Sequence, residues 1–575
     1  MDLPAPVSIL ATGYRGTRMT SSFAAVASRD ACRPMCALFF AMALVACAKS
    51  PDNSRASVGQ GKRPNILFIL ADDLGYADLG AFGSEIPTPH LDQLAANGMM
   101  LTNFYASMTC SPTRSMLLSG MDNHLAGEGV MGAPTRDEQK GKPGYEGYLN
   151  FRVASLADLM TDAGYNTYMT GKWHLGETVE QGPRARGFRR SFVSMDGAAH
   201  LGGWDWRGPQ PANYRDGDDI VHVGDDWYTT RDYTQKMLGY IEQDRAQGKP
   251  FFAYLAYTAP HWPLQAPTAS IAKFKGWYDD GYEALYSKRF ERQKQLGLLP
   301  KNAQPIGGAR FKPRWSDLSA DDRKIEARRM EIYAAMVSDL DTYVGEVIAY
   351  LKKTGQYDNT FIMFTSDNGA ESARRDLLPG IREHIGKEYD HSLDNLGSAT
   401  SYVMYGANWA SASATPFLRH KATAFEGGVH VPAFVQFPRM VARGSRSDAV
   451  GTVMDLLPTF LALAGTQHPG TMYRGKPVLP AQGTSLLPLL SGKAAAVHSV
   501  DQLYGWELFG HRAVRQGDWK LVWDQAAPAP QRRWQLFNIA GDPFEQTDLS
   551  ASNPKRLELM LKAWDRYDEE NGVVY

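Results

Sequence analysis

Three short apolar runs constrain this chain more than anything else in it. Asn65 to Leu70 (NILFIL), Phe251 to Tyr257 (FFAYLAY) and Thr360 to Thr365 (TFIMFT) carry almost no polar side chains. A strand of that kind has no face to turn to water and needs cover on both sides, as strands of parallel sheets have. Between the runs lie helical patterns. The clearest is Met330 to Leu351, apolar at i, i+3/i+4 spacing, with Gly355 placed to stop it. Leu91 to Asn97 and Leu156 to Ala163 are shorter examples. Alternating strands and helices predict an α/β sandwich with a large, mostly parallel central sheet flanked by helices. From about residue 498 the pattern changes. Arg512 to Arg515, Trp519 to Trp523 and Trp534 to Phe537 are short strand-like pieces separated by turns, and an amphipathic helix follows over Pro554 to Tyr567. This predicts a small C-terminal antiparallel-sheet subdomain over 498–575.

At 575 residues the chain has room for a large core or more than one domain. Its 61 basic and 62 acidic residues nearly cancel. Nothing global therefore points to nucleic acid or an anionic surface, and an anionic ligand would need a local cationic pocket. Of four cysteines, Cys32, Cys36 and Cys47 fall near the start, so Cys110 is the single thiol of the main body and no disulfide framework is possible there. Segments at about 197–230, 265–320 and 370–415 are long, aromatic-rich and loop-like, and are candidates for pocket walls.

Met35 to Ala46 is an apolar stretch of 12 residues, too short to span a bilayer at about 20. With Arg29 and Arg33 before it, it suits a signal-peptide h-region. It ends in Leu44-Val45-Ala46-Cys47, which resembles the lipobox of bacterial lipoproteins. The reading is a lipoprotein-type signal over 1–46, a lipid anchor at Cys47 and a polar tether over 47–63. An ordinary secretory signal containing a cysteine is the alternative. The start codon is open between Met1, Met19 and Met35.

Two buried runs end in oxygen donors: Asp72-Asp73 after the first, Asp367-Asn368-Gly369 after the third. Ligands of open α/β sheets bind beyond the carboxyl ends of strands. Either pair alone reads as turn or N-cap chemistry. Together, three carboxylates and an amide oxygen would need a cation, and an all-oxygen set suits Ca²⁺. Cys110-Ser111-Pro112-Thr113-Arg114 places a thiol at a predicted helix start, where free N–H groups favour anions. The plain alternatives are a buried core cysteine or a low-pKa nucleophile.

Cys110-Ser111-Pro112-Thr113-Arg114 resembles the C-x-P-x-R signature of the type I sulfatases. Gly171-Lys172-Trp173-His174-Leu175-Gly176 resembles their second signature. The resemblance runs from about Arg63 to the C-terminus and is closest to bacterial arylsulfatases. It implies an alkaline-phosphatase-like fold, a catalytic domain over 64–497, and oxidation of Cys110 to Cα-formylglycine (3-oxoalanine) by a formylglycine-generating maturation enzyme. It implies one Ca²⁺ on Asp72, Asp73, Asp367 and Asn368, facing the modified Cys110. Arg114 would stabilise the aldehyde hydrate. Lys172, His174, His261 and Lys421 would bind sulfate and move protons, and the substrate would be a small-molecule sulfate ester. The membrane would enter only through the lipid at Cys47, in the periplasm of a bacterial envelope.

Elementary chemistry fits those roles. A sulfate ester spreads its charge over three oxygens, so catalysis needs cationic clamps, here Ca²⁺, Lys172 and Lys421, and a proton donor for the leaving oxygen, here His261. A hydrate has a second hydroxyl that, deprotonated by a base such as His174, expels sulfate. A plain alcohol has none and would stall. Asp78, Asp122 and His124 read as structural, and the cluster Asp216 to Asp226 as a solvated loop. Trp204 and Trp206 either face substrate or fill a wall. The rival readings are a phosphate or phosphonate ester hydrolase of the same superfamily, and an inactive tethered sulfate-ester-binding protein.

Overall fold

The protein was described as a computed structural model covering residues 62–575 except 133, 135, 308, 309 and 379. The signal, lipobox and tether residues before 62 lie outside the described residues. The main sheet is built from β1 (Asn65–Ala71), β2 (Met99–Tyr105), β3 (Asn166–Lys172), β4 (Arg190–Ser194), β5 (Tyr214–Asp216), β6 (Asp219–Val221), β7 (Phe251–Ala256), β8 (Thr360–Ser366), β9 (His430–Gln436), β10 (Ser445–Ser447) and β11 (Gly451–Thr452). Their order is β10-β2-β9-β8-β1-β7-β3-β4-β5-β6, with β11 also on β2. The centre, β8-β1-β7-β3-β4, is parallel throughout. Antiparallel pairs flank it, β8 with β9 and β9 with β2 on one side, β4 with β5 and β5 with β6 on the other.

The three apolar runs are the middle of this sheet, and every residue of β1, β7 and β8 is buried. Period-2 alternation divides β1 between two cores. Leu67, Ile69 and Ala71 face one, Ile66, Phe68 and Leu70 the other. The first core is covered by α1 (Pro89–Ala96), α4 (Thr229–Asp244), α5 (Gly281–Gln295) and α6 (Ala320–Lys353), the second by α2 (Cys110–Ser119), α3 (Leu156–Asp162) and α7 (Leu456–Leu463). Each fully buried Leu, Ile or Phe contributes about 1.5–3 kcal/mol.

The apolar stripe marked α6 from Met330, but the helix starts at Ala320. Its first turns are too polar to show periodicity, and the Ser319 hydroxyl starts it by accepting from Asp322 N–H. The segment 265–320 is not simply loop, because α5 lies inside it. Asp216 to Asp226 begins in the β5–β6 hairpin, whose polar strands extend the sheet edge.

The small antiparallel sheet has four strands, β12 (Leu503–Leu508), β13 (His511–Gln516), β14 (Trp519–Trp523) and β15 (Trp534–Asn538). β12 was not anticipated as a strand. Trp506, Val522 and Phe537 pack on Tyr105, Phe425 and Val429 of the main body. On the opposite face Val514, Leu521 and Leu536 meet Met560, Trp564 and Tyr567 of α8 (Pro554–Asn571). A buried ionic contact adds to this seam. His124 Nδ1 lies 2.8 Å from Asp122 and its Nε2 3.2 Å from Glu507 on β12. Asp122 also accepts from Tyr567 Oη at 2.7 Å. Arg289 is likewise internal, 2.6 Å from Asp78.

Candidate active site

Parallel pairing explains why the acidic pairs meet. Ala71 of β1 is in register with Ser366 of β8, so the next residues, Asp72 and Asp367, leave the sheet side by side. Asp73 takes a left-handed backbone (φ 68°), and its N–H donates to Asp367 Oδ1 at 3.2 Å. That conformation is costly for a non-glycine residue and marks a site where geometry outweighs local strain. Asn368 Nδ2 donates to Asp73 Oδ1 at 2.7 Å. All four side chains are buried.

α2 brings the thiol to this cluster. Thr109 precedes it in extended backbone, and Cys110 and Ser111 form its first turn, as Pro112 predicts. Cys110 Sγ lies 3.1 Å from Asp72 Oδ1 and 3.8 Å from Asp73 Oδ1. Asp72, Asp73, Cys110 and His261 each offer a ligand atom within one 4.8 Å cluster. Burial, with Asp367 and Asp72 beside it, holds the thiol well above its ordinary range. Desolvation and the carboxylates thus act on the thiol against the helix N-terminus.

Cations surround the acids. Arg114 donates to Asp367 Oδ2 from Nε at 3.1 Å and Nη2 at 2.9 Å, and from Nη1 to Lys172 O at 2.6 Å. Lys172 Nζ is 2.8 Å from Asp72 Oδ2, and Lys421 Nζ 2.7 Å from Asp73 Oδ1. Lys172 reaches the cluster because β3 ends there. Gly171 before it must be glycine: its φ is 115°, and a Cβ would sit 1.7 Å from Ala256 O. Lys421 rides on a loop stitched between strand ends by Lys421 N–H to Ala370 O and Ala422 N–H to Met108 O. Gly427 lets this loop close, since a Cβ there would meet Arg419 O at 2.2 Å.

The histidines lie at the rim. His261 Nε2 is 3.5 Å from Asp73 Oδ2, and His174 Nε2 is 3.4 Å from Asp196 Oδ1. Burial and the charge of Lys172 hold both imidazoles well below the usual histidine range. Burial tends to raise Asp72, but the charges of Lys172, Arg114 and Lys421 outweigh it and leave it well below the carboxylate range. Burial lifts Asp73 to about 7 and Asp367 to about 6.

All ten sequence-predicted residues thus converge. Asp196 beside His174 was missed, as was Glu371, which pairs with Lys421 at 3.1 Å and accepts from Trp262 Nε1 at 3.2 Å. Glu371 follows Asp367 by four residues, which was the available signal. Asp196 has no such signal, because it reaches His174 by β3–β4 pairing. The cluster opens into a cavity of about 200 Å³, whose apolar wall includes Met131, Trp206, Trp262 and Phe509. Trp206 faces the cavity, while Trp204 does not line it. Of the three anticipated wall segments, 197–230 and 370–415 contribute and 265–320 does not.

The donor set suits a metal ion. Its oxygens are joined by the Cys110 thiol and a His261 ring nitrogen, and four carboxylates (Asp72, Asp73, Asp367, Glu371) face three permanent cations (Arg114, Lys172, Lys421). Asn368 Oδ1 is buried with no hydrogen-bond partner. An orphaned amide oxygen among carboxylates fits a hard divalent cation.

The sulfatase family model matches residues 64–466. The chain belongs to the sulfatase family. A second model, N-sulphoglucosamine sulphohydrolase C-terminal, matches 418–570. An uncharacterized sulfatase of Schizosaccharomyces pombe is 40% identical over 531 residues, covering 90% of this chain and 95% of that protein. An arylsulfatase of Klebsiella aerogenes is 38% identical over 444 residues, covering 76% and 94%. The crystal structure of Ps i-CgsB in complex with k-i-k-neocarrahexaose superposes with a TM-score of 0.63 at 26% identity, covering 89% of this chain and 94% of that one. This sulfatase is accordingly a sulfuric ester hydrolase on an alkaline-phosphatase-like fold.

Proposed function

We propose that this sulfatase is an arylsulfatase that works through Cα-formylglycine at position 110 and one Ca²⁺ held by Asp72, Asp73, Asp367 and Asn368. The observation that carries the reading is the convergence of those four oxygen donors on the Cys110 side chain, with Lys172 and Lys421 against the same carboxylates. Bound there, Ca²⁺ supplies the positive field that polarises a sulfate oxygen and favours an ionised hydroxyl. The hydrated aldehyde supplies two hydroxyls, one to take the sulfuryl group and one to release it.

The chain's own residues do the rest. Lys172 and Lys421 clamp sulfate oxygens. Arg114 braces Asp367 and the hydrate. His174 would take the proton of the second hydroxyl. It has Asp196 at Nε2 and a buried Nδ1 with no partner. An incoming sulfate anion favours the protonated form of His261, which would take a proton from water and give it to the leaving oxygen. Trp206, Trp262 and Phe509 shield an aromatic leaving group from water. A phosphate monoester, with more negative charge, would suit a pocket less rich in carboxylate. We further propose that the enzyme is matured by a formylglycine-generating enzyme, sits in the periplasm on a lipid at Cys47, and binds no nucleic acid.

The test is mass spectrometry of the Cys110 peptide from active enzyme, with parallel assays on sulfate and phosphate esters. The aldehyde should replace the thiol, and Cys110→Ala should abolish turnover in a folded protein. Full activity with the thiol intact would refute the reading.

A further inference from the structure

The 200 Å³ cavity does not end at its aromatic wall. Trp206 and Arg375 line it and also line a second cavity of about 280 Å³ beyond. That outer cavity is walled by Arg207, Ile381, His384, Ile385 and Tyr402 as well. Its polar character is basic, because Arg207 and Arg375 line it and no carboxylate does so among the described residues.

Arg375 stands at the junction. Its guanidinium carbon lies 5.8 Å from the Trp206 ring centre and 5.4 Å from that of Trp262, and the two indoles meet edge to face at 5.0 Å. Two rings hold the guanidinium without neutralising it. Among the described residues Arg375 has no carboxylate partner, whereas its neighbour Arg374 is tied to Asp376 at 2.7 Å. Arg207, across Trp206 at 5.2 Å, is already committed to Asp196 and Asp205. Trp206 Nε1 is buried without an acceptor. Gly197 makes room for this indole, since a Cβ there would lie 3.3 Å from its Cδ1. The junction therefore offers a cation with no carboxylate partner beside rings that a substrate ring can stack against.

We propose that Arg375 determines specificity at an outer subsite, and that the preferred substrate carries a second anionic group, a carboxylate or a sulfo group, about one ring beyond the sulfate ester. The inference rests on the sulfate-ester reading above and deepens it. A guanidinium fork matches a planar carboxylate in bidentate fashion, and also pairs with a sulfo group.

The test uses three biphenyl-4-yl sulfates whose distal ring carries a carboxylate, a sulfonate or a neutral carboxamide. The substituent is remote, so the reacting phenols are closely matched. Wild-type enzyme should favour an anionic compound in kcat/KM by about tenfold, chiefly through KM, as removal or gain of one partly exposed charge-assisted contact implies. Arg375→Ala should bring that ratio close to one, and Arg375→Lys should keep part of it. Carboxylate against sulfonate preference identifies which anion the site takes. Binding of the same compounds to Cys110→Ala, which has no nucleophile, followed by calorimetry, reads the subsite without turnover. Anionic preference in binding with no turnover by wild type would remove the hydrolase reading and keep the subsite. A wild-type ratio near one, or a ratio unchanged in Arg375→Ala, overturns the subsite and leaves the hydrolase reading standing.

Discussion

His124 gives the sharpest quantitative expectation. Its side chain is fully buried between Asp122 at 2.8 Å and Glu507 at 3.2 Å. Burial alone would depress the imidazole, but hydrogen bonds to both carboxylates and their charges overcome it and raise it from 6.5 to about 9. A rise of that size corresponds to ~3 kcal/mol favouring the folded state. The sign follows from a raised folded value. The contribution is fully present below pH ~6.5 and is lost as pH climbs through about 9. The perturbation is His124→Gln, a neutral side chain of similar reach. Asp122 keeps Tyr567 Oη, and Glu507 keeps the Gly510 N–H at 2.9 Å, so neither acid is orphaned. Unfolding free energies from urea titrations at pH 6, 7, 8 and 9 should show the variant less stable by about 2–3 kcal/mol at pH 6, with the gap closing by pH 9. Because the contact joins the main body to β12, loosening of the small sheet should appear first, as faster hydrogen exchange over 503–523. A gap that stays flat from pH 6 to pH 9 would show that His124 is not charged in the folded protein, and the argument would fall.

Elemental analysis of active protein should find one Ca²⁺ per chain. Its removal should lower both activity and unfolding temperature, since the carboxylates lose their counter-charge, and active protein free of divalent cation would contradict the assignment. His261→Ala should lose more kcat/KM as the phenol leaving group becomes more basic, by about 10²–10⁴ at the basic end. Lys172→Ala should lose activity evenly across the series, and an even loss for His261→Ala would take it out of the acid role. Lipidation at Cys47 should place the protein in the membrane fraction, and Cys47→Ser should leave it uncleaved or mislocalised. A cytosolic pool of full-length protein would count against the anchor.

What the sequence made legible is what lies contiguous with a strand or helix end. β1, β7 and β8 could be read because burial on both faces leaves almost no polar residue in the run, and Asp72 and Asp367 follow directly from two of them, whereas Lys172, which ends β3, was legible only through the second sulfatase signature. The Cys110 helix could be read because Pro112 fixes its first turn. Glu371, Asp196 and Arg375 acquire their roles only through packing. Asp196 depends on β3 and β4 pairing, and Arg375 on the meeting of segments over 160 residues apart in sequence. The outer strands escaped for a related reason. β5 and the edge strand β6 are short and partly exposed, so polar side chains are tolerated there and no apolar run is required. Single-sequence periodicity reports solvent contact, so it is silent wherever pairing rather than burial makes the element.

The same division separates the chemistry from the choice of substrate. Asp72, Asp73, Asp367, Asn368 and Lys172 stand on or directly after the central parallel strands, whose positions are fixed by two cores at once. Moving any of them means moving the sheet. Trp206 stands at a short hairpin turn and Arg375 in a single 3₁₀ turn, both in long insertions that cross the mouth of the site. These segments share no strand register with the oxygen cluster. A substitution at 206 or 375 can therefore alter what the outer cavity accepts while leaving the oxygen cluster in place. Changes in the leaving-group end should accordingly be read in KM ratios between substrates, and changes in the cluster in kcat for all of them.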